Sequence, residues 1–127
     1  MKVLVCGGRW YGWTVDFNTK KVIRNIEEYD KFNDTMNELL SQDLRLISGH
    51  ASGADSLAEE WAFRHSIPIY VFPARWTGTD KLAGFKRNQQ MLDEGKPDVV
   101  LAFPGGKGTA DMITRARKAN IEVIEVE

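Results

Sequence analysis

Four short apolar runs in this chain are each followed at once by residues suited to holding an anion. Val3 to Cys6 meets Gly7, Gly8 and Arg9. Leu44 to Ile47 meets Ser48-Gly49-His50-Ala51-Ser52-Gly53-Ala54-Asp55. Ile67 to Phe72 meets Pro73-Ala74-Arg75-Trp76, and Val99 to Phe103 meets Pro104-Gly105-Gly106-Lys107-Gly108-Thr109. Glycine lets backbone approach a ligand closely. A glycine turn feeding a helix also offers free N–H groups to an anion. For any single turn, a tight strand-to-helix connection explains the glycines as well. Three such turns together point to a phosphate-bearing ligand.

A second group of residues converges on the same chemistry. In Gly84-Phe85-Lys86-Arg87-Asn88-Gln89-Gln90-Met91, helical spacing puts Gly84, Arg87, Asn88 and Met91 on one face. The planar fork of arginine binds phosphate through two parallel hydrogen bonds. The competing explanation is a solvated polar face. Trp10, Tyr11, Trp13 and Trp76 offer rings on which a base could stack.

Two familiar nucleotide motifs do not fit. In a Walker A loop Ser or Thr follows Gly-Lys directly, and here Gly108 separates Lys107 from Thr109. The G-x-G-x-x-G fingerprint is not met by Gly7-Gly8-Arg9-Trp10-Tyr11-Gly12. His50 and His65 are too few and too separated for a metal site, so neither metal nor cofactor is expected. His65 reads as a helix-end cation. Cys6, at the end of a buried strand, reads as a small core residue.

The elements that must position these residues are legible as alternating patterns. Five runs read as strands: the four above and Ile121 to Val126. They are rich in β-branched residues, and several lack polar alternation, as in strands of a parallel sheet covered on both faces. Helical periodicity marks Tyr29 to Leu40, Ser56 to His65, Lys81 to Asp93 and Thr109 to Ala119. The alternation implies right-handed βαβ crossovers. In such sheets ligands bind beyond the carboxyl ends of the strands, near the topological switch point. The stretch from Arg9 to Glu28 is the least regular and reads as a long loop with a short helix near Val22 to Ile26.

The chain of 127 residues has room for one domain. Hydrophobic residues make up 43% and charged residues 28%, which excludes a mostly disordered chain. Seventeen basic side chains face eighteen acidic ones, giving a net charge of −1, so the overall basic footprint of a duplex-binding protein is absent. Nucleic acid is therefore not the expected partner. A single cysteine excludes an intrachain disulfide and a four-cysteine zinc site. No apolar run is long enough for a bilayer span, and the N-terminal one is too short for a signal-peptide core, so a cytoplasmic location without membrane contact is expected.

The set Val5-Cys6-Gly7-Gly8-Arg9, Gly49 to Asp55, Pro73 to Trp76, Ala83-Gly84 with Arg87-Asn88 and Met91, and Ala102 to Thr109 resembles, in order, the YspA-related branch of the SLOG superfamily. The match spans nearly the whole chain except Trp10 to Leu40, which is longer than usual. The resemblance implies an α/β fold: a single Rossmann-like domain over residues 1–127, with a mainly parallel five-stranded sheet, helices on both faces and an irregular insertion around 9–28. It implies a nucleotide or nucleotide-derived ligand held by Gly7, Gly8, Arg9, Gly49, Ser52, Gly53, Arg87, Asn88 and the segment Pro104, Gly105, Gly106, Lys107, Gly108, Thr109. Base stacking would fall to Trp10, Tyr11 and Trp76.

Relatives include the lonely-guy phosphoribohydrolases, nucleotide sensors of bacterial and phage conflict systems, and the single-strand-binding protein DprA. Related proteins commonly dimerise through helices beside the site, so a homodimer is expected. The phosphoribohydrolase motif P-G-G-x-G-T-x-x-E is matched by Pro104 to Thr109, and Arg87 resembles its upstream arginine. Its glutamate falls at Met112, and Asp111 is adjacent but turned about 100° away on a helix. Cleavage of an N-glycosidic bond needs a carboxylate to support an oxocarbenium-like centre and to activate water. Asp55, placed by this fold at a helix start beyond the second strand, is the stronger candidate, with Asp111 second. The alternative role for Asp55 is that of a first-turn aspartate favoured by the helix dipole.

Overall fold

Four consecutive apolar residues, Val3 to Cys6, are buried in the central strand of the sheet. In the computed structural model, which describes residues 1–77 and 80–127, the chain runs β1 (Lys2–Cys6), β2 (Trp13–Val15), β3 (Val22–Arg24), α1 (Ile26–Asn37), β4 (Arg45–Ser48), α2 (Ala54–Arg64), β5 (Ile69–Val71), α3 (Ala83–Gln90), a π-helical turn (Met91–Gly95), β6 (Val99–Ala102), α4 (Lys107–Lys118) and β7 (Glu122–Glu125). Five strands form one sheet in the order β5-β4-β1-β6-β7. Every pairing in it is parallel, with Leu4 opposite Ile47 on one side and Val100 on the other.

Side chains alternate across a strand, so β1 supplies two cores at once. Val3 and Val5 pack with Phe32 and Met36 of α1 and with Leu57 and Trp61 of α2. Leu4 and Cys6 pack on the other face with Met91, Leu92 and, from α4, Met112 and Ala116. Burying each such large side chain stabilises the fold by roughly 1.5–3 kcal/mol. Trp61 is fully buried, and its indole N–H donates to Asn37 Oδ1 at 3.0 Å, so its one polar atom is satisfied. The architecture is thus the expected Rossmann-like one. No helix among the described residues is long and apolar enough to cross a membrane.

The stretch after β1 departs from the reading as a loop with a short helix near Val22 to Ile26. Val22–Arg24 is a strand that pairs antiparallel with Trp13–Val15, Trp13 lying opposite Arg24. Thr14, Val15, Val22 and Ile23 are β-branched, and such side chains lose rotamer freedom in a helix but fit a pleated ribbon. Asp16 builds the connecting turn: its Oδ1 accepts from the backbone N–H of Asn18 and Thr19. The Arg24 guanidinium then lies between the rings of Trp13 and Tyr29, 4.1 and 4.4 Å from their centroids. The helix starts later, at Ile26, because Asn25 caps it by accepting from the Glu28 N–H at 3.2 Å.

Strand order reverses at β1, whose neighbours β4 and β6 are reached by crossovers on opposite faces. The crevice beyond the carboxyl ends of these three strands is where the glycine turns meet.

Candidate functional site

Three loops converge at Gly8. Its N–H donates to Pro104 O at 2.9 Å, and its carbonyl accepts from Tyr11 N at 3.1 Å and Ala54 N at 3.2 Å. The turn after β1 is therefore tied to the loop after β6 and to the start of α2. Gly53 holds φ at +75°, and a Cβ there would overlap the backbone of Gly8 and Arg9. A Cβ at Gly105 would overlap Thr109 Oγ1 and crowd Gly8 N. These two glycines serve loop-to-loop packing. Gly106 and Gly108 differ, since a Cβ on either would have nothing within 4 Å.

Beside this junction lies a cavity of about 440 Å³. Its walls come from Gly7, Gly8 and Arg9 after β1, from Ala51 and Asp55 around the start of α2, and from Gly106, Lys107, Gly108 and Thr109 at the start of α4. Trp76 and Lys81 close it from the segment before α3. The α3 stripe Gly84, Arg87, Asn88 and Met91 lines it too, together with Phe85. Arg87 and the start of α4 thus face one space. Gly106 caps α4 without a side-chain hydrogen bond, which leaves the first-turn amides free to meet an anion.

Cations dominate the lining. Arg9, Lys81, Arg87 and Lys107 stand against the single carboxylate of Asp55. Arg87 is held in place: Nη1 donates to Gly49 O and Nε to Asn88 Oδ1 at 3.2 Å. Asn88 in turn uses Nδ2 on Gly108 O at 3.1 Å and on Asp111 Oδ2 at 3.0 Å. Asn88 thereby braces α3 against the first turn of α4. Asp55 is only 6% exposed, and burial raises its carboxyl to about pH 6 despite the Ala51 N–H and the nearby Arg87 charge. Burial pushes the Cys6 thiol up to about 12, with Asp55 adding to the rise, so this lining residue is held in its protonated form at neutral pH.

Several residues proposed from the sequence lie elsewhere. Gly49 and Ser52 line a second cavity of about 370 Å³, which shares Arg9, Ala51, Trp76 and Arg87 with the first. Tyr11 is buried and packs on Phe103 with ring centroids 5.2 Å apart. Trp10 is exposed and lines neither cavity, nor do Gly53, Pro104 and Gly105. Asp111 lines a different depression on α4, where its carboxylate accepts from Arg115 Nε at 2.8 Å. Met112 is fully buried in the core below the sheet. Lys81 and Phe85 join the lining without any sequence signal. Ala51 was within reach, lying inside the motif after β4.

A family model described as "YspA, cpYpsA-related SLOG family" matches residues 1–78. The Gene 61 protein of Mycobacterium phage D29 is 38% identical over 88 residues, which cover 64% of this chain and 70% of that protein. Among solved structures, the UDP-GlcNAc 2-epimerase from Neisseria meningitidis, bound to UDP-GlcNAc, superposes with a TM-score of 0.54 at 16% identity. That match covers 100% of this chain and 32% of the epimerase, so the likeness is one of fold alone.

Proposed function

The chain belongs to the YspA-related SLOG family, and on that premise we propose that it binds a nucleotide or nucleotide-derived phosphate ligand at the carboxyl edge of its sheet, as a sensor or sequestering module. One observation carries this reading: the uncapped first turn of α4 opens on the same cavity as Arg9, Arg87 and Lys107. Free amides and fixed guanidinium groups are the two devices with which proteins hold phosphate. Trp76, also in the lining and 57% exposed, supplies a ring face for a base. Calorimetry against nucleoside mono- and diphosphates, cyclic nucleotides and ADP-ribose derivatives tests the reading. At least one should bind saturably, and Arg87→Ala should weaken it tenfold or more, the loss of one charge-assisted contact of about 1.5–3 kcal/mol. Folded protein that binds nothing in the panel would refute it.

Asp55 supports a second reading, hydrolysis of the N-glycosidic bond of a nucleoside monophosphate. Its carboxylate lines the cavity, and burial has brought its proton affinity to about pH 6. In that reaction the C1′–N bond breaks with its electron pair leaving on the base, water oxygen bonds to C1′, and Asp55 takes the proton of water and passes it to the base. Incubation with nucleoside monophosphates should release free base, and Asp55→Asn should abolish the release. An unchanged rate in that variant excludes Asp55 from the chemistry.

A further inference from the structure

The second cavity, of about 370 Å³, is not a separate depression. Arg9, Trp76 and Arg87 line it and also line the first, so the three side chains form a wall common to both. Arg9 lies over Trp76, 5.5 Å from the ring centroid. Arg87 commits Nη1 to Gly49 and Nε to Asn88, which leaves Nη2 without a hydrogen-bond partner among the described residues. A guanidinium with a free edge between two spaces can serve an anion on either side.

The far side of the second cavity carries further polar side chains. His50 lines it at a left-handed φ of +58°, and its Nδ1 is held 2.9 Å from Glu59 Oε1. Glu59 itself does not line the cavity, and neither does any other carboxylate of the described residues. A carboxylate behind one ring nitrogen fixes the imidazole and leaves the other nitrogen as the outward group. Ser52 adds a hydroxyl.

We infer that this second cavity is a second anion subsite, built on His50, Ser52 and the shared Arg9–Arg87 wall, so that the ligand is a nucleotide bearing a further anionic group beyond its 5′-phosphate. The inference rests on the nucleotide reading above and narrows it. One phosphate sits on the α4 amides, the sugar and base pass Trp76, and the second anionic group reaches His50.

Matched probes separate the two claims. For each of the four common bases, the affinity of the nucleoside 5′-monophosphate is compared with that of the nucleoside 3′,5′-bisphosphate by calorimetry, in the wild-type chain and in His50→Ala. The His50 side chain is more than half exposed, so its removal leaves the core intact, and circular dichroism verifies this. The bisphosphate of at least one base should bind tenfold or more tightly than its monophosphate. His50→Ala should remove at least fivefold of that increment while monophosphate affinity stays within twofold of wild type. Arg87→Ala should weaken both probes. A bisphosphate that binds no better than its monophosphate overturns the inference and leaves the nucleotide reading standing. So does a His50→Ala variant that weakens both probes equally, or neither. If no probe binds the folded protein, the inference fails, and the nucleotide reading is decided by the wider panel of diphosphates, cyclic nucleotides and ADP-ribose derivatives.

Discussion

Gly108→Ala should move stability and ligand affinity in opposite directions. Gly108 lies in the first turn of α4, and a Cβ there would meet no atom within 4 Å. The new methyl group therefore costs nothing in packing. Alanine restricts the unfolded chain and favours the helix, a gain of about 0.5–1 kcal/mol over glycine. For a domain of this size that raises the melting temperature by about 2–5 °C. Gly108 also lines the proposed ligand cavity, so the methyl group is added beside the first-turn amides. A methyl group there holds an anion off the first-turn amides. Losing one charge-assisted hydrogen bond of about 1.5–3 kcal/mol weakens binding roughly ten- to a hundredfold. Thermal denaturation without ligand gives the first quantity, and calorimetry with the tightest nucleotide of the panel gives the second. A variant that is stabilised but binds like the wild type would show that no ligand rests on the start of α4. A destabilised variant would show that the space is not open.

Three further substitutions probe the junction. Gly53→Ala places a side chain at a left-handed φ and against the Gly8 backbone, so urea denaturation should show a loss of about 3 kcal/mol or more, and a loss under 1 kcal/mol would contradict the packing role. Gly49→Ala brings a Cβ 2.5 Å from Arg87 Nη1; because a long side chain can swing aside, stability should fall by under about 1 kcal/mol while nucleotide affinity drops with the displaced guanidinium, and unaltered affinity would remove Arg87 from the site. Asp55 has its carboxyl raised from 3.8 to about 6 by burial. Such an acid binds its proton more tightly when folded, so its contribution to stability is complete below about pH 4 and declines as pH rises to about 6. The decline amounts to about 3 kcal/mol by linkage. Asp55→Asn should therefore gain stability relative to wild type across that interval, and a difference between the two proteins that is constant with pH would refute the buried assignment.

The sheet was readable because β1, β4 and β6 are covered on both faces, which forces uninterrupted apolar runs such as Val3 to Cys6 and Val99 to Phe103. The β2–β3 hairpin was not, since its strands have three residues each and its turn, held by Asp16, lacks the glycine pairs that announce hairpins. The start of α1 does carry a local signal, since Asn25 is a preferred N-cap residue type and its side chain accepts from the Glu28 N–H. In the site, sequence located the glycine turns but could not sort them. Gly105 and Gly106 are neighbours, yet one is filled by protein and the other opens on empty space. Tyr11 and Trp10 are likewise adjacent, with one buried on Phe103 and one exposed. Such distinctions depend on which loop is packed against which, a tertiary fact that no local pattern carries.

Asp55 is where the two functional readings part. A cavity meant only for anions gains nothing from a carboxylate in its wall, because two negative charges in a poorly solvated space repel. What a binding site does gain is indirect: Asp55 accepts from Ala51 N at 3.1 Å and so fixes the loop whose Gly49 carbonyl orients Arg87. In that role its charge is a liability, and neutralising it below about pH 6 favours the ligand. Hydrolysis makes the reverse demand, because only the ionised carboxylate can take a proton from water. Affinity that strengthens in acid, with Asp55→Asn binding as tightly as the acid form, is the behaviour of a receptor. Base release that rises through pH 6 and vanishes in the same variant is the behaviour of an enzyme. The charge state of one buried side chain therefore decides between them more directly than any further comparison of sequence.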